Sequence, residues 1–174
     1  MKNIHITIAA LLVFMAANAW ADTRLLKETD LEAAALKVAK ETQQAGYKLL
    51  SVAELKQMID GKEDLVLIDA HPLEEYNLAY IASARHFGFQ SNHSGHWEQD
   101  VAMPNKLTQE DYRKILGADT DKKIVIYCGM TQCGRSHNAA SWAKKLGYTN
   151  VYRMPGGIAA WKNAGYAYKS NLSR

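Results

Sequence analysis

The run Lys123-Ile124-Val125-Ile126-Tyr127-Cys128-Gly129-Met130-Thr131-Gln132-Cys133-Gly134-Arg135-Ser136 decides how this chain is read. Ile124 to Tyr127 predict a buried β-strand, because β-branched and aromatic residues run together. From Ser136 onward, Ala139, Ala140, Trp142, Ala143 and Leu146 recur at helical spacing, and Gly147 follows as a stop signal. Cys128 is therefore expected where a strand ends and a loop leads into a helix. The first turn of a helix has unpaired N–H groups and a partial positive charge. Such a place favours the thiolate, which is the form that attacks. The same amides suit an anionic substrate. The expectation is a reactive sulfur on Cys128, kept ionised by the loop around it.

Working outward, Leu65-Val66-Leu67-Ile68 is a second continuous apolar run, as in a strand covered on both faces, with Asp69 at its carboxyl end. Ser51 and Glu54 form a capping box for a helix carrying Leu55, Met58 and Ile59 inward and ending near Gly61. Pro72 opens a short helix through Glu75 and Tyr76, and Ile81 to Phe87 contains a short strand. Thr108 and Asp111 start a helix with Tyr112, Ile115 and Leu116 as its apolar face. Asn150 to Met154 predicts a further strand, and Pro155-Gly156-Gly157 turns into a last helix bearing Ile158, Ala159 and Trp161. Residues 88–107 show no clear period, and Trp97 within them is placed to cover the mouth of a site. Strands alternating with helices predict an α/β fold with a parallel sheet flanked on both faces. Ligands bind beyond the carboxyl ends of strands in such sheets, where Asp69 and Cys128 lie.

The 174 residues give room for a single domain with a real core. Ile4 to Ala19 is largely apolar behind Lys2, and Ala19-Trp20-Ala21 has the small-x-small form of a cleavage site. Residues 1–21 thus read as a secretory signal peptide and imply a periplasmic protein with no membrane attachment after cleavage. Residues 22–46 predict a helical extension, with Leu31, Ala34, Ala35, Val38 and Ala39 on one face. A formal net charge of +3 is too weak to point to nucleic acid. The only cysteines are Cys128 and Cys133, and a link between them would close too short a loop to stabilise much. A redox or catalytic use of the pair fits better than a structural disulfide.

Five separated segments resemble the rhodanese-type sulfurtransferase family in order. They are Leu49-Leu50-Ser51-Val52-Ala53-Glu54-Leu55, Leu67 to Tyr76 with Asp69-Ala70-His71 and Glu75-Tyr76, Ile81-Ala82-Ser83-Ala84, the loop from Tyr127-Cys128 to Arg135-Ser136, and Gly147 to Trp161. The resemblance implies a three-layer rhodanese-like domain over residues 47–170. It implies that Cys128 takes sulfane sulfur from a small anionic donor such as thiosulfate. The resulting persulfide passes it to a thiol or cyanide-like acceptor, with no cofactor. Gly129, Met130, Thr131, Gln132, Cys133, Gly134 and Arg135 would form the anion cradle, supported by Asp69, His71 and His137. Arg135 can grip an oxyanion in two-point fashion, or pair with Asp69 at the helix start.

Three departures from the family pattern bear on chemistry. Six residues, Gly129 to Gly134, separate Cys128 from Arg135, where single-domain members usually have four, so thiosulfate specificity does not carry over directly. Cys133 is a possible resolving thiol, which opens thiol–disulfide chemistry with a periplasmic redox partner. His71 stands in the place of the signature's arginine, making any role pH-dependent. An inactive rhodanese-like binding module is the remaining alternative. His93-x-x-His96 lacks the companions of a metal site, so no metal is expected. His137 either faces the loop as a cation or lies at the surface.

Overall fold

The structure is a computed structural model that describes residues 27–102 and 107–172. The signal-peptide reading of residues 1–21 lies outside the described residues. Residues 27–45 are helical (α1). The chain divides into two units, Met1–Lys37 and Val38–Arg174, and everything below concerns the second. Of the apolar face expected along α1, Val38 is buried within this unit, while Ala39 is exposed.

Five parallel strands form one sheet: β1 (Lys48–Leu49), β2 (Leu65–Asp69), β3 (Arg85–His86), β4 (Lys123–Tyr127) and β5 (Val151–Met154). Their order is β1-β5-β4-β2-β3, with Ile126 of β4 beside both Ile68 of β2 and Arg153 of β5. The helices are α2 (Val52–Asp60), α3 (Leu73–Leu78), α4 (Trp97–Asp100), α5 (Gln109–Leu116), α6 (Arg135–Lys145) and α7 (Gly157–Asn163). The predicted α/β sandwich is what forms, because each central strand alternates its side chains between two cores. Ile124, Ile126 and Val151 pack with Tyr112, Ala140 and Trp142 on one face. Val125, Tyr127 and Met154 pack with Leu55, Ile158 and Trp161 on the other.

Both predicted capping boxes are present, at Ser51/Glu54 and Thr108/Asp111. Helix α6 is buried all round from Ser136 to Ala143, so it lies inside the fold rather than on it. The irregular stretch holds one helical turn, α4, built around Asp100. That buried carboxylate accepts from Ser94 N (2.6 Å), Gly95 N (3.1 Å) and Trp142 Nε1 (3.0 Å). Trp97 does not cover a site. It is buried at the other end of α4's turn, edge-on to Trp142 at 5.2 Å and donating from Nε1 to Leu107 O.

Candidate active site

Strand β4 delivers Cys128 to the carboxyl edge of the sheet, next to the end of β2. The backbone there is pinned from the far side by α7. Ile158 N donates to Cys128 O (2.8 Å) and Ala159 N to Gly129 O (2.9 Å). Gly157 makes this approach possible: its φ is +59°, and a Cβ on it would stand 2.2 Å from Cys128 O. The loop then turns through Met130–Cys133, with Cys133 N donating to Met130 O, and enters α6 at Arg135. Gly134 is packed so closely on Ser91 that it admits no side chain.

The two sulfurs share this loop unequally. Cys128 is fully buried, with Sγ 3.2 Å from Ser136 Oγ and 3.6 Å from Cys133 O. Cys133 is half-buried. Burial pushes the Cys128 thiol well above the ordinary range, and its S–H bond toward Cys133 adds to this, against opposing donors on Ser136. Cys133 is held well below the ordinary range, first by the hydrogen bond from Cys128 and then by the amides of Gly129 and Arg135 and the Arg135 side chain. The expectation of an ionised Cys128 is thus turned around: burial favours its neutral thiol, while the donors of the loop favour the thiolate form of Cys133. The physical reason is depth, since Cys128 lies beneath the loop while Cys133 faces its amides. Met130 is 57% exposed, and Thr131 and Gln132 are exposed with it at the rim.

Arg135 places Nη1 3.8 Å from Cys133 Sγ and Nη2 3.5 Å from Glu75 Oε1. Its carboxylate partner is Glu75, not Asp69. Asp69 instead accepts from His71 N (3.0 Å) and lies 2.8 Å from His71 Nδ1, while His71 Nε2 is 3.5 Å from Glu75 Oε2. Burial works against charge on His71, but the hydrogen bond and charge of Asp69 outweigh it and raise its pKa. The ring also borders the cysteine loop, 3.2 Å from where a Cβ of Gly129 would be. His137 takes neither expected position. It is buried on α6, 3.0 Å from Tyr47 OH and edge-on to His93 at 5.1 Å. With Ser141, Lys144 and Lys145 these two histidines line a cavity of about 430 Å³.

Sequence reasoning missed Arg153. Fully buried on β5, it donates from Nε to Ser136 Oγ (2.9 Å), from Nη2 to Cys133 O (2.9 Å), and from Nη1 to Glu41 Oε2 (2.5 Å) and Tyr47 OH (3.2 Å). The available signal was strand alternation, which puts Arg153 on the same face as Val151 in a strand covered on both sides. A charge at such a position needs partners.

The chain belongs to the rhodanese-like domain family, whose profile matches residues 51–164. Among curated relatives, a tRNA uridine(34) hydroxylase from Erwinia tasmaniensis is 30% identical over 112 residues, covering 63% of this chain and 27% of that protein. One from Sodalis glossinidius is 37% identical over 67 residues, covering 37% of this chain and 18% of that protein. The chain therefore spans about a quarter or less of the length of these relatives. Among solved structures, the BH2092 protein from Bacillus halodurans aligns with a TM-score of 0.56 at 22% identity, covering 78% of this chain and 86% of that one. Thiosulfate sulfurtransferase from Pseudomonas aeruginosa gives 0.52 at 17%, covering 76% and 22%. The polysulfide-sulfur transferase homodimer from Wolinella succinogenes gives 0.51 at 16%, covering 76% and 88%. At these identities the likeness shows the shared fold.

Proposed function

We propose that this chain is a sulfurtransferase that carries sulfane sulfur on Cys128, with Cys133 as its proton acceptor. The observation that carries the reading is the placement of Cys128 Sγ at the strand end, 3.2 Å from Ser136 Oγ and 3.6 Å from Cys133 O, with both thiols in one loop. The Cys128 proton passes to the Cys133 thiolate, and the Cys128 thiolate is then held by the amide and hydroxyl of Ser136. It attacks the outer sulfur of a small anionic donor such as thiosulfate. The S–S bond breaks, sulfite leaves with the electron pair, and Cys128 becomes a persulfide. An acceptor thiolate or cyanide takes the terminal sulfur, and Cys128 departs as a thiolate and recovers its proton. Splitting the transfer into two displacements lowers each barrier, and the amides that now hold Cys133 suit the anionic groups formed on the way.

Mass spectrometry after exposure to thiosulfate or a persulfide donor tests this. One extra sulfur should map to Cys128 in the parent, and more slowly in Cys133→Ser, which lacks the proton acceptor, and none should appear in Cys128→Ser. A fully reduced parent that takes up no sulfur sinks the proposal. The greater exposure and charge of Cys133 favour one other order of events, in which Cys133 attacks first and Cys128 resolves the adduct to a disulfide. A reducing dithiol protein would then restore the pair. That order predicts an adduct on Cys133 in Cys128→Ser.

We also propose that the protein works in the periplasm, on the strength of the apolar run Ile4–Ala19 and the Ala19-Trp20-Ala21 site. Cell fractionation with N-terminal sequencing should find a mature chain starting at Asp22. An intact Met1 in the cytoplasm would overturn this assignment. Among the described residues no helix is long and apolar enough to cross a membrane.

A further inference from the structure

Cys128 Sγ has two oxygen neighbours, Ser136 Oγ at 3.2 Å and Cys133 O at 3.6 Å, and Arg153 holds both. We propose that Arg153 is a positioning residue that prepares Cys128 for ionisation, and that Glu41 of α1 is the counter-charge that moderates it. The proposal rests on the reading above only in taking Cys128 as the reacting thiol.

Each contact acts in the same direction. Arg153 Nε occupies a lone pair of Ser136 Oγ, which leaves the Ser136 hydroxyl proton free to be donated to a Cys128 thiolate. Arg153 Nη2 also binds the Cys133 carbonyl, 3.6 Å from Cys128 Sγ, and so makes that oxygen a poorer acceptor for the Cys128 S–H when the proton turns from Cys133 Sγ. The guanidinium is also a permanent charge one hydroxyl away from the sulfur, in surroundings too buried for water to screen it. Burying a cation there has a large desolvation cost, which an apolar residue beside Val151 would avoid. Glu41 offsets that cost through a 2.5 Å ion pair while being only 13% exposed itself. The last turns of α1 are thereby coupled to the cysteine loop, through Arg153 rather than through packing alone.

The other ionisable groups around the pair are Asp69 and His71 at the end of β2, Glu75 on α3, Arg135 on α6 and Tyr47 before β1. These are unchanged in the variants that test the idea, and Cys133, the remaining ionisable neighbour of Cys128, is serine in all of them, the reference protein included. The rate of Cys128 alkylation by iodoacetamide is followed against pH in the full chain carrying Cys133→Ser. Burial slows alkylation at every pH, so the midpoint reports ionisation. Arg153→Gln should move the midpoint up by about one pH unit, the usual effect of removing a nearby opposite charge. Glu41→Gln should move it down, because Arg153 is then uncompensated. Ser136→Ala should move it up without altering any charge, and Arg153→Lys should fall between the parent and Arg153→Gln. A merely structural Arg153 would lower the melting temperature and leave the midpoints together, or shift Arg153→Gln and Glu41→Gln in the same direction. Either result overturns the proposal. Should Arg153→Gln fail to fold, Glu41→Gln and Ser136→Ala decide it, and unmoved midpoints in both refute it. Alkylation needs no sulfur donor, so a failure here is distinct from a failure of sulfurtransfer.

Discussion

Gly157→Ala probes the junction that holds the cysteine loop from behind. Gly157 has φ +59°, and an alanine forced into that conformation loses about 1–2 kcal/mol. Its Cβ would also lie 2.2 Å from Cys128 O and 2.6 Å from Gly129 C, both backbone atoms that cannot rotate away. The loop and the start of α7 must separate, which stretches the bonds from Ile158 N to Cys128 O and from Ala159 N to Gly129 O. At about 1 kcal/mol for each bond, the total reaches about 3–4 kcal/mol. For a chain of this size that lowers the melting temperature by roughly 6–16 °C. Gly156→Ala is the control. Gly156 has an ordinary φ of −62°, and its Cβ would stand 2.6 Å from Ala160 Cβ without touching the cysteine loop, so an overpacking cost of about 1–3 kcal/mol with sulfur uptake intact is expected. Thermal and urea unfolding of both variants, with sulfur uptake by mass spectrometry, reads the outcome. A Gly157→Ala protein as stable and as reactive as the parent would refute the claim that α7 braces the loop.

Three further perturbations follow from the same structure. Asp100→Ala strips the acceptor from Trp142 Nε1, Ser94 N and Gly95 N together and should cost about 3 kcal/mol in urea unfolding, and a loss under half of that would deny its place at the centre of α4. The Thr108 capping hydrogen bonds hold the Asp111 carboxyl down to about 2, so its contribution is present above the unfolded value of 3.8 and is lost as pH falls through about 2. Asp111→Asn should therefore flatten the acid limb of stability, and parallel limbs would contradict it. His71 is raised in the fold by Asp69, so its contribution is complete below the unfolded value of 6.5 and is lost as pH rises through the folded one. His71→Gln should remove that decline from the urea midpoint on the alkaline side, and an unchanged profile would exclude the pairing.

The central strands and the two capping boxes were legible because each has a local cause: continuous apolar runs at Leu65–Ile68 and Ile124–Tyr127, and Ser51/Glu54 and Thr108/Asp111 at fixed spacing. Strand β1 was not, because Lys48 and Leu49 are both exposed and owe their strand conformation to pairing with Tyr152 and Arg153. Helix α4 is one turn long and exists through Asp100, whose partners span Ser94 to Trp142, beyond the reach of any local pattern. The cysteine loop could be found from sequence, but the ranking of its two sulfurs could not. That ranking depends on Cys128 being sealed under the loop while Cys133 faces the amides of Gly129 and Arg135. Arg153 illustrates the same point: a charge in a buried strand signals that something must receive it, but not that its partners would be Ser136 and Glu41.

The shared charge itself is open to direct measurement by thiolate ultraviolet absorbance across a pH titration of the reduced protein. One thiolate per chain is expected at neutral pH and well into the acid range, with the second proton leaving only above the ordinary thiol value of ~8.5. Two thiols that titrate together near that value, with no thiolate at neutrality, would contradict the account.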